Sequence, residues 1–413
     1  MPTIDPVRSA LLPVDSAAAD ELGAPNYDEF QSDQEVFELL RNRPLSVLRV
    51  TMPQCDVRNA EDIGEEDSEE ALTRAAANMA RLAGDPRTHH LRDILWVYQI
   101  TRSELLSDPQ IGLGGMARTD DIRTKDNRAG TIIRNEGIRE SKARGRARLT
   151  QVTHADMGTV NLAVDDANRA LQSALEEHAT ASPPSFETVD EEGNEHRVWL
   201  LQDPSTIERF RALIAREPRA YVADGNHRSA AAAMAGFRHF LTVFFPARTM
   251  TIAPYNRLVL SSANPVGDLM MALRNTFDLS SYDGMGALQP VATHEIGLYD
   301  GSRWWRLEPR QGTFDPDDAA QDIDADIVQR HLFADVFGIH DARDDRLTYV
   351  GANRDARWLQ DQVDAGRFRY AVTLPPVTMT QFINVCLQDK LMPPKSTWFV
   401  PKIRSGLVMA MLE

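Results

Sequence analysis

Residues 220–236 read AYVADGNHRSAAAAMAG. β-compatible residues run into a carboxylate, a glycine follows, and polar residues then open an alanine-rich stretch. The pattern predicts a strand over 220–223, a tight turn at Gly225 and a helix over 229–235. A helix start leaves unpaired N–H groups and carries partial positive charge, so it receives an anion readily. His227 and Arg228 add side-chain donors there, and arginine can grip a phosphate through two parallel hydrogen bonds. Asp224, at the strand end, can hold a metal or orient a hydroxyl. A plainer reading makes the aspartate an N-cap, the glycine a turn residue and the arginine part of a salt bridge elsewhere. The residues alone leave both open.

Working outward, periodicity predicts strands over 45–51, 94–100, 240–245 and 250–252, and a hairpin around 299–307. Helical spacing predicts helices at 33–41, within 61–83, and at 139–150, 163–178, 205–216, 325–336 and 356–365. Residues 1–24 read as an extended lead-in, 25–28 as a turn, and 182–196 as loop and hairpin. Helices and strands mix without strict alternation, which predicts an α+β fold rather than a doubly wound sheet. A chain of 413 residues exceeds one ordinary core. The expected division is a catalytic region over 1–275 and a C-terminal α+β region over 276–413 that completes the site.

Hydrophobic residues make up 42% and charged residues 26%, as in ordinary globular proteins. The net charge of −16 argues against partnership with nucleic acid or an anionic membrane. The two cysteines, Cys55 and Cys386, form no CxxC and are expected as buried thiols in a reducing compartment. The N-terminus lacks a signal-peptide pattern, and no apolar run approaches the ~18 residues of a membrane helix. A cytoplasmic protein is expected.

Three further segments carry candidate chemistry. Arg134-Asn135-Glu136 precedes a run of cations, where a carboxylate stays ionised and can take a proton from a hydroxyl if it faces a cleft. Asn256-Arg257 follows a predicted strand, and such an arginine can reach a phosphate or form a surface ion pair. LMPPKSTWFVPKIRSG, residues 391–406, offers Lys395 and Ser396 to an anionic pocket, or serves as a tether packed across the domain. Gly112-Leu113-Gly114-Gly115 lacks the lysine and spacing of a nucleotide loop, and no HExxH or GxSxG occurs. His89 and His90 read as loop residues, and no histidine besides His227 is given a role.

In order, the blocks PNYD (25–28), WVYQ (96–99), RNE (134–136), ADGNHR (223–228), APYNR (253–257) and MPPKSTWFVPKIRSGLV (392–408) resemble the prokaryotic DUF1015 family, whose members are called serine-kinase-like. The DGxHR element is also similar to that of the free serine kinases, which have a ParB/sulfiredoxin-like fold. The resemblance implies such a core with large elaborations. It implies Glu136 as base toward a serine hydroxyl, Asp224 as an aid to the hydroxyl or Mg²⁺, and Gly225, Asn226, His227 and Arg228 as phosphate binders. Arg257 would neutralise charge, with Arg134, Asn135, Asn256, Lys395 and Ser396 as weaker contributors. The family usually has histidine where this chain has Asn135, Asn226 and Asn256. Asparagine keeps a hydrogen bond but carries no proton near neutral pH.

The function expected is phosphoryl transfer to free serine or a similar small hydroxy amino acid, with ATP or ADP as donor and Mg²⁺ as cofactor. Such transfer is mostly positioning and electrostatics. A phosphoserine phosphohydrolase on the same site and a non-enzymatic ParB-like nucleotide-binding regulator are the alternatives. A homodimer is compatible with the sequence.

Overall fold

The computed structural model describes residues 1–27, 29–102, 109–260 and 266–412; Asp28, which ends the expected turn, lies outside them. The fold is mixed α+β, with four sheets among the described residues. The chain divides into two units. The first comprises Met1–Arg134, Ile138–Met250 and Pro401–Glu413, and the second Asn135–Gly137 and Thr251–Val400.

The first unit is built on an eight-stranded mixed sheet. Its strands lie in the order Ile132–Arg134, Ala220–Asp224, Val160–Val164, His239–Pro246, Gln110–Arg118, Leu95–Thr101, Glu195–Leu201 and Phe186–Val189. Strand side chains alternate between faces. Leu95 and Val97, Ile111 and Leu113, Val160 and Leu162, and Ala220 and Val222 therefore share one core. Helices Ala170–Ala181 and Pro204–Ile214 contribute Leu171, Leu175, Phe210 and Ile214 to it. Burying each such large side chain contributes about 1.5–3 kcal/mol.

A second core of the same unit lies among helices. Helix Glu69–Ala83 begins where the Ser68 hydroxyl accepts from the Ala71 N–H at 3.2 Å. Glu69 and Glu70 then favour its positive end, and Leu72, Ala75, Met79 and Leu82 form its buried stripe. Replacing Ser68 with alanine would cost about 1 kcal/mol.

Several expectations are corrected. Residues 45–51 are not a strand: Leu48–Thr51 is a helical turn, and Val47 and Val50, three apart, are buried together. The lead-in is structured, with strand Ala10–Pro13 and helix Ser16–Leu22. His89 and His90 lie in strand Thr88–Leu91, paired with Leu12 and Leu11. Gly112 and Gly114 belong to strand Gln110–Arg118, where a Cβ on Gly114 would sit 1.9 Å from the Trp96 ring. Gly114 makes room for that indole and Gly112 for Phe245 and Val243, in keeping with the rejection of a nucleotide loop. Both cysteines are buried, as expected, and burial raises each thiol to about 12.

The second unit carries an antiparallel six-stranded sheet in the order Phe277–Ser281, Trp304–Pro309, Ile296–Tyr299, Tyr370–Thr373, Asn256–Val259 and Leu347–Val350. Strands Thr251–Ala253 and Trp398–Val400 pair separately. Helix Met379–Leu387 opens with a capping box between Thr378 and Gln381. Among the described residues no helix is long and apolar enough to cross a membrane.

Candidate functional site

In the first unit, strand Ala220–Asp224 lies between Ile132–Arg134, parallel, and Val160–Val164, antiparallel. Its register against Val160–Val164 shifts between Val222 and Asp224, which turns the end of the strand. Gly225 follows at φ +95°, and a Cβ there would lie 3.1–3.2 Å from the Arg228 guanidinium and Val160. Conformation and space both require glycine. Helix Asn226–Met234 starts at once, and Gly225 offers no capping oxygen to its first turn. The buried Ser229 hydroxyl donates to the Asn226 carbonyl at 3.1 Å.

Arg228 turns back beneath this corner. Its side chain is 5% exposed. It donates through Nη2 to Asp224 Oδ2 at 2.9 Å, and through Nη1 to the Thr159 carbonyl and to Asn26 Oδ1. Much of its donor capacity is therefore spent inside the protein, holding Asp224. Lys402 Nζ reaches the same Asp224 oxygen at 3.5 Å. His227 Nε2 accepts the Arg139 N–H at 2.8 Å, which places the ring proton of the neutral imidazole on Nδ1.

The segment carrying Lys402 is fastened from both sides. Asn26 Nδ2 donates to the Ile403 carbonyl at 2.8 Å, and the Ser405 hydroxyl donates to Asn26 Oδ1 at 2.8 Å. The Arg404 N–H donates to the Tyr98 hydroxyl at 3.2 Å, and that hydroxyl meets His196 Nδ1 at 2.7 Å. His196 Nε2 lies 3.0 Å from Asp190 Oδ2. Burial lowers the His196 imidazole below its ordinary value. Burial would raise the Asp190 carboxyl, but hydrogen bonds from His196 and Asn194 outweigh it and hold it at about 2.

Two other buried groups adjoin the turn. Asn161 stands opposite Asp224 in the sheet and is 1% exposed. Neither amide atom of Asn161 has a hydrogen-bond partner among the described residues. Leaving such a group unpaired costs about 1–3 kcal/mol, which favours a bound partner. Asp156 accepts from Gly158 N at 3.1 Å and Leu241 N at 2.8 Å, yet burial pushes its carboxyl up to about 6.

Arg134 ends its strand opposite Val222, with its guanidinium lowered by burial. The remaining predicted residues belong to the second unit. The Asn135 carbonyl accepts from Met392 N at 2.8 Å, and Glu136 forms a parallel bridge with Met392. Arg257 is buried; Nη1 donates to the Tyr255 carbonyl and Nη2 to the Lys395 carbonyl at 3.2 Å. Burial lowers its guanidinium, and Tyr349, Tyr255 and Glu136 act in the opposite sense. The Lys395 ammonium stands over the Tyr255 ring at 5.5 Å. Asn256 donates to Gln289 Oε1 at 2.9 Å and accepts from Leu374 N at 3.0 Å, and the Ser396 hydroxyl donates to the Pro393 carbonyl at 2.7 Å.

The structure thus groups Asp224, Gly225, Asn226, His227 and Arg228 with Lys402 in one unit, and Glu136 with Arg257 and Lys395 in the other. Lys402, Asn161 and Asn26 were missed as individual site residues. Lys402 and Asn26 lay within quoted blocks, but Asn161 carried no sequence signal. The turn offers a Mg²⁺ ion one carboxylate, Asp224, so nucleotide phosphates and water would have to supply the other ligands. Asp224 Oδ2 already meets two cations, and among the described residues no group of three or more His, Cys, Asp or Glu could hold a metal.

The chain is similar to several solved structures. One is a conserved hypothetical protein from Pyrococcus furiosus, at 10% identity and TM-score 0.36, covering 71% of this chain and 95% of that one. A second is a free serine kinase in complex with AMP, at 11% identity and TM-score 0.37, covering 71% and 92%. A third is SbnI with a C-terminal truncation from Staphylococcus aureus, at 9% identity and TM-score 0.37, covering 71% and 85%. Likeness at this level carries no argument about activity. No curated protein matches the chain. The model of the family described as Protein of unknown function (DUF1015) matches residues 4–332, and the chain belongs to that family.

Proposed function

We propose that this protein is a nucleotide-dependent phosphotransferase acting on free serine or a similar small hydroxy amino acid, with a ParB/sulfiredoxin-like core in its first unit. The observation that carries the reading is the corner at Gly225. A carboxylate held by Arg228 and Lys402 stands directly before a helix start that has no capping side chain. Backbone N–H groups at such a start receive phosphate oxygens. Lys402 adds positive charge, and Arg228 fixes the carboxylate.

Glu136 takes the proton of the substrate hydroxyl. The freed oxygen forms a bond to the terminal phosphorus of ATP or ADP, and the bond from that phosphorus to the rest of the nucleotide breaks. The shortened nucleotide leaves with the electron pair. Arg257 and Lys395 offset the negative charge of donor and product, with Ser396 and Asn135 as weaker contributors. Asn161, buried opposite Asp224, keeps one donor group and one acceptor without a protein partner beside this corner.

The test incubates the protein with serine and either ATP or ADP and measures phosphoserine by mass spectrometry. Formation of phosphoserine is expected. Glu136→Gln should lower turnover by about 10²–10⁴-fold with nucleotide binding retained. Phosphate release from phosphoserine without nucleotide would transfer the site to a hydrolase. Absence of both reactions, with no nucleotide-induced rise in melting temperature, would overturn the proposal.

A further inference from the structure

The first unit contains a second concavity, a groove of about 770 Å³ that shares no lining residue with the Gly225 turn. Arg8, Arg118 and Arg238 line it. Arg118 and His239 are direct partners across adjacent strands, and the Thr119 N–H donates to the Arg238 carbonyl at 3.0 Å. The cations are therefore fixed to the end of the sheet.

Asp5 forms part of the lining. Its carboxylate meets Arg118 Nε at 3.1 Å, Arg211 Nη2 at 3.0 Å and His239 Nε2 at 3.1 Å. Burial would raise this carboxyl, but the bonds from Arg118 and His239 outweigh it and hold it below its ordinary value. Asp5 thus ties together Arg118, Arg211 and His239, and Arg211 is further paired with Glu208.

Arg8 and Arg238 are exposed, and neither side chain has an ion-pair or hydrogen-bond partner among the described residues. Arg118 is engaged only through Nε among those residues, so its two outer nitrogens remain available. Asp93 and Asp120 also line the groove, yet neither forms an ion pair with these arginines. Arg8 and Arg238 thus line the hollow without a protein partner among the described residues.

We propose that this groove binds a small metabolite through a phosphate or carboxylate group. Three guanidiniums offer paired N–H donors that match either oxyanion. The groove exceeds the size of an inorganic ion and falls within the range of small-molecule sites, about 300–1,000 Å³. Asp93 and Asp120 can accept from hydroxyl or ammonium groups elsewhere on the ligand. The site is independent of the phosphotransferase reading.

The test uses the full chain with inorganic phosphate, citrate and, at matched ionic strength, chloride. Thermal shift and titration calorimetry read binding. Saturable binding of phosphate or citrate is expected, with at least a tenfold loss in an Arg8→Ala/Arg238→Ala double variant whose melting in chloride matches the wild type. Tighter binding of phosphate or of citrate assigns the ligand to phosphorylated or to polycarboxylate compounds. Asp224→Asn should bind as the wild type does. Three results overturn the proposal: equal responses to chloride, unchanged binding in the double variant, or loss of binding in Asp224→Asn, which would place the anion at the Gly225 turn.

Discussion

Removing one oxygen, by Tyr98→Phe, should loosen the segment that carries Lys402. The Tyr98 hydroxyl accepts from the Arg404 N–H at 3.2 Å and lies 2.7 Å from His196 Nδ1. Because it accepts from the amide, its own proton is available for Nδ1, so the imidazole proton sits on Nε2 and points at Asp190. Phenylalanine keeps the ring packing but leaves the Arg404 amide and the His196 acceptor buried and unpaired. Each orphaned group costs about 1–3 kcal/mol, so the total falls at roughly 2–6 kcal/mol. Amide hydrogen exchange is the suitable readout, because two units make a single unfolding midpoint hard to interpret. If only ~1.4 kcal/mol of the loss is local, exchange at 402–405 should still accelerate about tenfold. Peptides from the core around Phe210 serve as the internal control. Exchange at 402–405 within twofold of the wild type would refute the claim that this hydroxyl anchors the segment.

Gly225→Ala should destabilise the first unit by about 1–3 kcal/mol, seen as faster amide exchange in peptides of its sheet, because φ is +95° and the added Cβ meets Arg228 and Val160. Gly64→Ala, with nothing within 4 Å of its added Cβ, should be nearly neutral; equal effects at the two sites would remove the strain argument. The Asp190 carboxyl is held at about 2 in the fold, below its ordinary 3.8, so its stabilisation is full above pH ~4 and is lost as pH falls toward 2. The amount is roughly 2 kcal/mol, and Asp190→Asn should flatten the stability curve in that window; an unchanged curve would show that the His196 and Asn194 bonds do not hold the group.

How much of this was legible follows from the range of each interaction. The 220–236 strand, turn and helix could be read because a bulged strand end, a positive φ and a run of small helix formers are local properties. Residues 45–51 were misread because LSVLRVT satisfies a period of two while its buried residues pack at helical spacing, and no strand partners it. The packing role of Gly114 could not be read from the sequence, because the Trp96 ring that fills its space comes from a neighbouring strand. Lys402 meets Asp224 across 178 positions, and His196 meets Tyr98 across 98, so neither pairing leaves a trace in spacing. The chain also leaves and re-enters each unit, at 135–137 and at 401–413, and no composition change marks those crossings.

Asn256 and Asn226, where the resemblance implies histidine, differ in what their surroundings allow. Asn256 uses both ends of its amide, donating to Gln289 and accepting the Leu374 N–H while buried. A protonated imidazole could not accept that N–H, so the amide locks the position into one hydrogen-bonding state at every pH. At Asn226 the side chain begins a helix, and the carbonyl is tied to Ser229. Proton transfer must then fall to groups that still titrate. His227 is constrained as well, since protonating Nε2 would break its bond from the Arg139 N–H. The proposed reaction gives the base's part to a carboxylate, Glu136, whose charge acts on the buried Arg257.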